Sequence, residues 1–356
     1  MAASINNPAW LQWMQTLMGP TSRQTYAATL PPDQYRCLLG ELPLHLIPGP
    51  ARQAMACEVE LHDAVDPRPV LVLNPERVFL HGGEAPPQFQ ARKDLLTGFV
   101  RQGTIAWVPD PARGHLLPFW LTPRISSELK EIQAGAAVSS TIDPNTCELL
   151  ERAGILTRAK LSRDDLRRKQ WQGTIAKASP GFRERGYAPL PSLIHPFHVA
   201  ALRRYYRCLL RTGKISLGDG QSSRRYVAYQ EPVARFFHYL LTPTLSALAG
   251  EPLQPSYVYM ASYLSGAELK KHTDREQCEF SITFCLDFSP EPTLESPWPI
   301  QLDTSIGPIT VYQALGDGLA YRGTRLPHYR GVLPEGQTST SIFFHYVRAD
   351  FAGSLD

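Results

Sequence analysis

From Pro255 onward the chain is a succession of short apolar runs: SYVYMASYL, FSITFCLDF, WPIQLD, ITVYQA, GLAYRG and TSTSIFFHYV. β-Branched and aromatic residues fill these runs, and turn-forming residues separate them. Short antiparallel strands in such number must bury a common face, as a β-sandwich or barrel does. Two helical patterns come first. HPFHVAALRRYYRCLL places Phe197, Ala200, Ala201, Leu202, Tyr205, Cys208 and Leu209 at helical spacing. VARFFHYLLTPTLSALAG carries an internal proline and ends at Gly250, where a C-terminal stop belongs. Helices followed by many strands predict an α+β fold, a barrel or sandwich with supporting helices.

Chemistry-bearing residues fall on this strand region. His272 and Asp274 are two apart, and on a strand residues i and i+2 point to one face. His328 follows GLAYRG after several further strand-sized runs, enough for an antiparallel sheet to return beside its start. Two imidazoles and one carboxylate form a facial ligand set for Fe(II), leaving positions open for a chelating 2-oxoacid and O₂. An H-x-D triplet alone arises by chance in many chains, and its structural reading is a solvated surface pair. Placement on predicted strands and the spacing to His328 favour the metal reading.

Upstream the patterns are weaker. VEL, PVLVLN and TIAWVP read as strands, and SSELKEIQAG and CELLERAGIL as helices, in an order with a winged-helix flavour. The cationic segment Arg158 to Gln172 reads as a solvated helix or linker, which places a boundary between an α+β accessory region, 1–175, and a second domain, 176–356. Apolar residues at 43% and charged residues at 19% describe a globular chain, and 32 prolines predict many fixed turns. A net charge of only +3 gives no basic field for nucleic acid. Neither a secretory leader nor a run of eighteen apolar residues is visible, so a cytoplasmic, non-membrane protein is expected. The six cysteines form no CxxC pair and read as reduced thiols.

The stretches YLSGAELKKHTD, SITFCLDF, GDGLAYRGTRLPHYR and TSTSIFFHYV together resemble the core of Fe(II)/2-oxoglutarate-dependent dioxygenases of the prolyl-hydroxylase-like branch. The resemblance covers about the last 170 residues and leaves 1–175 unexplained. It implies a double-stranded β-helix (jelly-roll, cupin-like) core over about 255–348, with His272, Asp274 and His328 as iron ligands. It further implies 2-oxoglutarate and O₂ as co-substrates, succinate and CO₂ as products, and hydroxylation of an unactivated C–H bond. By family analogy the substrate is an amino acid, a peptide or a protein side chain; the winged-helix flavour of the N-terminal region suggests, separately, recognition of a partner or leader peptide. Halogenating relatives carry a small residue at the carboxylate position, so Asp274 argues against that chemistry.

The chain departs from the commonest family pattern at the co-substrate anchor. The basic residue expected about ten positions after the distal histidine is Thr338 here. Arg330, two past His328, is the expected anchor, because the guanidinium fork can hold a carboxylate bidentately. Arg322 is the second choice, with Thr338 or Ser339 as hydroxyl donors; the structural reading of Arg330 is a salt bridge. The resemblance puts Tyr263 near 2-oxoglutarate, while an ordinary core tyrosine fits equally. His345 reads as a satisfied core histidine, and Glu279 as solvated or structural. Arg203, Arg204, Arg224, Arg225, Tyr226 and Tyr229 could line a substrate cleft or decorate helix surfaces. Two other readings stay open: a cupin-type iron oxygenase that needs no 2-oxoglutarate, and a non-catalytic barrel with a vestigial metal site.

Overall fold

Two antiparallel sheets and a layer of helices arise from the change of apolar period, from 3.6 before Pro255 to 2 after it. The computed structural model describes residues 35–36, 38–39, 71–81, 84–96, 103–133, 142–158, 163–219 and 221–356. The VEL run expected as a strand lies outside them, as do Cys37 and Cys57.

In the N-terminal part, β1 (Leu38–Leu39), β5 (Leu116–Leu121), β4 (Thr104–Pro109) and β3 (Val78–His81) form a sheet in that order, and β2 (Leu71–Leu73) pairs with β6 (Leu156–Arg158). Helices α1 (Pro123–Gln133) and α2 (Pro144–Arg152) match the two helical patterns read from the sequence. Asp143 caps α2 by accepting the Thr146 N–H at 3.0 Å, and Pro144 takes the first turn, where a missing N–H costs nothing. Helix α3 (Arg163–Arg185) then runs straight through the expected boundary at 175/176. No linker lies there. One hydrophobic cluster includes Phe89, Trp107 and Trp120 together with Phe236, Phe237 and Phe344, so the two parts share a core.

Helices α4 (Pro196–Arg211) and α5 (Pro232–Ala249) follow strand β7 (Tyr187–Leu190). Gly250 ends α5 at φ 76°, the left-handed stop its position suggested. The remaining strands are β8 (Ser216–Leu217), β9 (Arg225–Tyr229), β10 (Leu253–Tyr263), β11 (Leu269–His272), β12 (Phe280–Ser289), β13 (Ile300–Thr304), β14 (Gly307–Val311), β15 (Gly318–Tyr321), β16 (His328–Arg330) and β17 (Thr338–Arg348). They build a 7-stranded sheet, β7-β15-β12-β17-β10-β9-β8, and a 4-stranded sheet, β11-β16-β13-β14. From β10 to β17 the chain passes repeatedly between the two sheets, which is a double-stranded β-helix. Alternation sorts the side chains of the large sheet. Val258, Met260, Ile282, Phe284, Ile342 and Phe344 pack with the helices. Ala261, Tyr263, Phe343, Leu319 and Tyr321 face the barrel interior. Among the described residues no helix is long and apolar enough to cross a membrane, and Cys147, Cys208, Cys278 and Cys285 are free.

Candidate metal centre

Strand pairing brings the two histidines together. His272 and His328 are direct partners in the β11–β16 ladder, on the face of the small sheet that looks into the barrel. A bulge between Leu269 and His272 lets both line the same cavity although they are three apart. Asp274 arrives by a different route from the one its i, i+2 spacing suggests. Strand β11 ends at His272, and Asp274 sits on the following loop, where its N–H donates to the Gly323 carbonyl at 2.9 Å. A Cβ at Gly323 would stand 2.2 Å from Asp274 Oδ2 and 2.5 Å from the Cys278 carbonyl, so only glycine leaves room for this carboxylate.

The three donor atoms converge. His272 Nε2 lies 3.7 Å and His328 Nε2 3.5 Å from Asp274 Oδ1, and all three are within 4.8 Å of one another. An octahedral face with bonds of roughly 2.1 Å has edges of about 3 Å, so a small contraction would close the set on a divalent ion. Each imidazole is already oriented. His272 Nδ1–H donates to Lys270 O at 2.8 Å and His328 Nδ1–H to Leu326 O at 3.0 Å, leaving both Nε2 lone pairs for a metal. Burial, partly offset by Asp274, pushes the His328 pKa down, which favours the neutral ligand form.

The far oxygen of Asp274 is also held. Ser281 Oγ–H donates to Oδ2 at 3.1 Å, and with its proton so placed Ser281 accepts from His345 Nδ1–H at 2.9 Å. Ser281 and His345 are register partners on β12 and β17. His345 is buried, and burial lowers its pKa to about 4, so it stays neutral. Its expected role as a satisfied core histidine is therefore incomplete, since its bond ends on a metal-ligand carboxylate. Cys278, its thiol raised to about 12 by burial, lies beside Asp274 and contacts the Tyr257 hydroxyl at 2.9 Å.

His272, Asp274, His328 and His345 line a cavity of about 480 Å³. Tyr263 lines it, buried between the Arg225 guanidinium (3.3 Å to its hydroxyl) and the Trp298 ring (5.1 Å). Arg330 lies two residues past His328 on the inward face of β16, buried, stacked 4.9 Å from the Trp298 ring and donating to Trp298 O and Gln313 Oε1. Among the described residues no carboxylate pairs with it, in contrast to the salt bridge that was its structural reading. Burial accordingly lowers its pKa. Ser339 faces the interior opposite Tyr263.

Two expected co-substrate residues are not brought to the site. Arg322 follows inward-facing Tyr321 and so points outward, 4.7 Å from the Phe280 ring and 3.7 Å from Glu251. Thr338 shares the outward parity of Thr340, which bonds Ser262 at 2.9 Å, and of Ile342. Both misplacements are a single step in strand alternation. Glu279 pairs with Arg348 at 3.5 Å. Of the six candidate cleft residues, Arg225 and Tyr229 line the cavity. Arg203 instead bonds Asp287 and Glu291, Arg204 donates to Arg36 O, and Arg224 to Ser265 O. Ser281 and Gly323 carry no sequence signature, because their roles depend on partners brought close by folding.

No family model and no curated protein matches this chain. Solved structures similar to it include an alpha-ketoglutarate-dependent epimerase of nogalamycin biosynthesis, at 15% identity over 50% of this chain and 84% of that one, TM-score 0.42. A prolyl-4-hydroxylase from Pseudomonas putida is similar at 17% identity over 49% and 99%, TM-score 0.41. An oxidoreductase of the 2OG-Fe(II) oxygenase family from Burkholderia pseudomallei is similar at 15% identity over 51% and 92%, TM-score 0.40.

Proposed function

We propose that this chain is an Fe(II)- and 2-oxoglutarate-dependent oxygenase that hydroxylates an unactivated C–H bond of an amino acid, peptide or protein side chain. The observation that carries the reading is the convergence of two oriented imidazoles and a hydrogen-bonded carboxylate at the floor of a cavity. His272, His328 and Asp274 would hold the metal, which when bound supplies O₂ activation coupled to decarboxylation of 2-oxoglutarate. Ser281 keeps Oδ2 of Asp274 engaged, so Oδ1 is the oxygen offered to the ion. Among the described residues no carboxylate pairs with the buried Arg330 guanidinium, a fit for the distal carboxylate of 2-oxoglutarate. Tyr263 and Ser339 stand on the interior face nearby, where hydroxyls can add to that anchor. This unpaired cation favours a 2-oxoacid enzyme over an iron oxygenase that uses none, and over a vestigial site. Tyr321, whose hydroxyl is 3.5 Å from His328 Nε2, lines the cavity beside the ligands.

The test is succinate release with Fe(II) and 2-oxoglutarate, in wild type and Arg330→Met. Losing one charge-assisted anchor raises the half-saturating 2-oxoglutarate concentration by about 10- to 100-fold. No succinate from wild type refutes the activity, and an unchanged requirement in the variant removes Arg330 from the anchor.

A further inference from the structure

A thiol and a phenol meet beside the metal centre without a part in the proposed reaction. Tyr257, on β10, lines the same cavity as the ligands, and its hydroxyl lies 2.9 Å from Cys278 Sγ. Cys278 closes the short turn Glu276–Cys278 between Asp274 and β12, and its Sγ is within 4.8 Å of a carboxylate oxygen of Asp274. The pair is therefore one ligand removed from the metal position. Arg275 holds it in place. Its Nε donates to the Tyr257 hydroxyl at 3.2 Å, its guanidinium rests 4.6 Å over the ring, and its charge also bears on the Cys278 thiol. Cys278 is free, and only 1% of its surface is exposed.

Burial decides what this pair can do. It pushes the thiol up to about 12 and raises the phenol as well, so both stay protonated near neutral pH. A buried, protonated thiol is a poor nucleophile and is closed to the oxidants in solution that convert exposed thiolates to sulfenic acid. An oxidant generated at the metal, behind Asp274, meets no such barrier. Trigonal geometry at the ring carbons gives a sulfur bonded ortho to a phenol hydroxyl much the same separation from its oxygen as Sγ already has. Bonding to the ring edge then needs no separation of the two groups.

We propose that Cys278 and Tyr257 form a site of oxidative self-modification, in which turnover without substrate joins Sγ to the ring carbon of Tyr257 ortho to its hydroxyl as a thioether. This inference rests on the proposed function, because the oxidant is O₂ activated together with 2-oxoglutarate. The S–H bond and one ring C–H bond break, and one S–C bond forms. Two electrons pass to the oxygen atom that would otherwise enter a substrate. That atom takes the two hydrogens and leaves as water, while 2-oxoglutarate leaves as succinate and CO₂. The chain loses two hydrogen atoms and gains none. The link pins Tyr257 against Tyr229 and His345, whose ring centroids are 5.2 and 4.7 Å away, and removes an oxidisable thiol from beside Asp274.

The test starts from the full chain, isolated anaerobically under reductant and then given Fe(II), 2-oxoglutarate and O₂ with no substrate. Succinate is followed, and the protein is afterwards reduced, alkylated, digested and mapped by mass spectrometry. The expected product is a joined pair of peptides carrying Tyr257 and Cys278, lighter than their sum by two hydrogen atoms and resistant to thiol reductants. Cys278 is then lost from the alkylated pool. Tyr257→Phe, Cys278→Ser and Asp274→Ala give no joined pair. A pair already joined in isolated wild type, and absent from Asp274→Ala isolated alongside it, supports the inference equally. Three results overturn it and leave the oxygenase reading standing: succinate formed while Cys278 remains alkylatable, Cys278 carried instead to a sulfinic acid or a reducible disulfide, or a link that forms equally in Asp274→Ala. No succinate from wild type overturns both.

Discussion

At the scale of single residues, the centre depends as much on what surrounds the ligands as on the ligands. His272, Asp274 and His328 are legible in the sequence because they fall in a strand-rich region, their spacing suits a folded-back sheet, and the stretches around them resemble a known core. Gly323, Ser281 and His345 are not legible, since each acts on Asp274 only once distant strands have paired. Gly323 has no unusual backbone angle, so alanine there is conformationally allowed and its cost is purely spatial: the methyl would collide with the Asp274 carboxylate. Gly323→Ala is therefore expected to weaken metal binding by about 10- to 100-fold, with Ser281→Ala at the low end of that range. Competition titration with a metal-chelating dye measures this. Wild-type affinity in Gly323→Ala would mean that Asp274 does not bind the ion from its observed position.

At the scale of elements, strand parity decides which neighbours of a ligand can reach it. Arg330 shares the inward parity of His328, whereas Arg322 and Thr338 are one step out of phase with the interior. Periodicity located these strands but could not fix their phase, because β11, β10 and β12 all carry bulges or register shifts. The shift between Cys285 and Asp287 has a structural consequence. It turns Asp287 toward α4, where Arg203 Nε at 3.0 Å and Arg207 Nη2 at 2.7 Å grip the carboxylate. Burial alone would raise the Asp287 pKa, but the two guanidiniums outweigh it and hold the carboxyl below its ordinary range. The stabilisation from this depressed pKa is complete above the unfolded carboxyl value, about 3.9, and is lost as pH falls through the lower folded value. Asp287→Ala leaves two buried guanidiniums short of a partner and should cost about 3–5 kcal/mol. Urea unfolding at neutral pH measures the loss, and the gap between the two proteins should narrow in acid. A loss under about 1 kcal/mol would show that the cluster is compensated elsewhere.

At the scale of the whole molecule, the N-terminal part acts as a packing partner of the helix layer. Phe89 and Trp107 meet Phe236, with centroids 5.4 and 6.1 Å away, and Phe119 meets His198 at 5.0 Å. A composition-based boundary at 175/176 misses this because a run of charged residues reports polarity and says nothing about the face that a helix buries. The helix layer in turn braces the large sheet, and the large sheet carries Ser281 and His345 behind the small sheet's histidines. The centre is thus the point where both sheets converge, and whether it takes iron and 2-oxoglutarate together is the central claim. The most direct measurement is the visible spectrum of anaerobic protein titrated with Fe(II) and 2-oxoglutarate. A weak metal-to-ligand charge-transfer band should grow to roughly one equivalent of iron per chain and be lost, with the iron, in Asp274→Ala. Wild-type protein that holds iron and shows no such band on addition of 2-oxoglutarate would contradict the account.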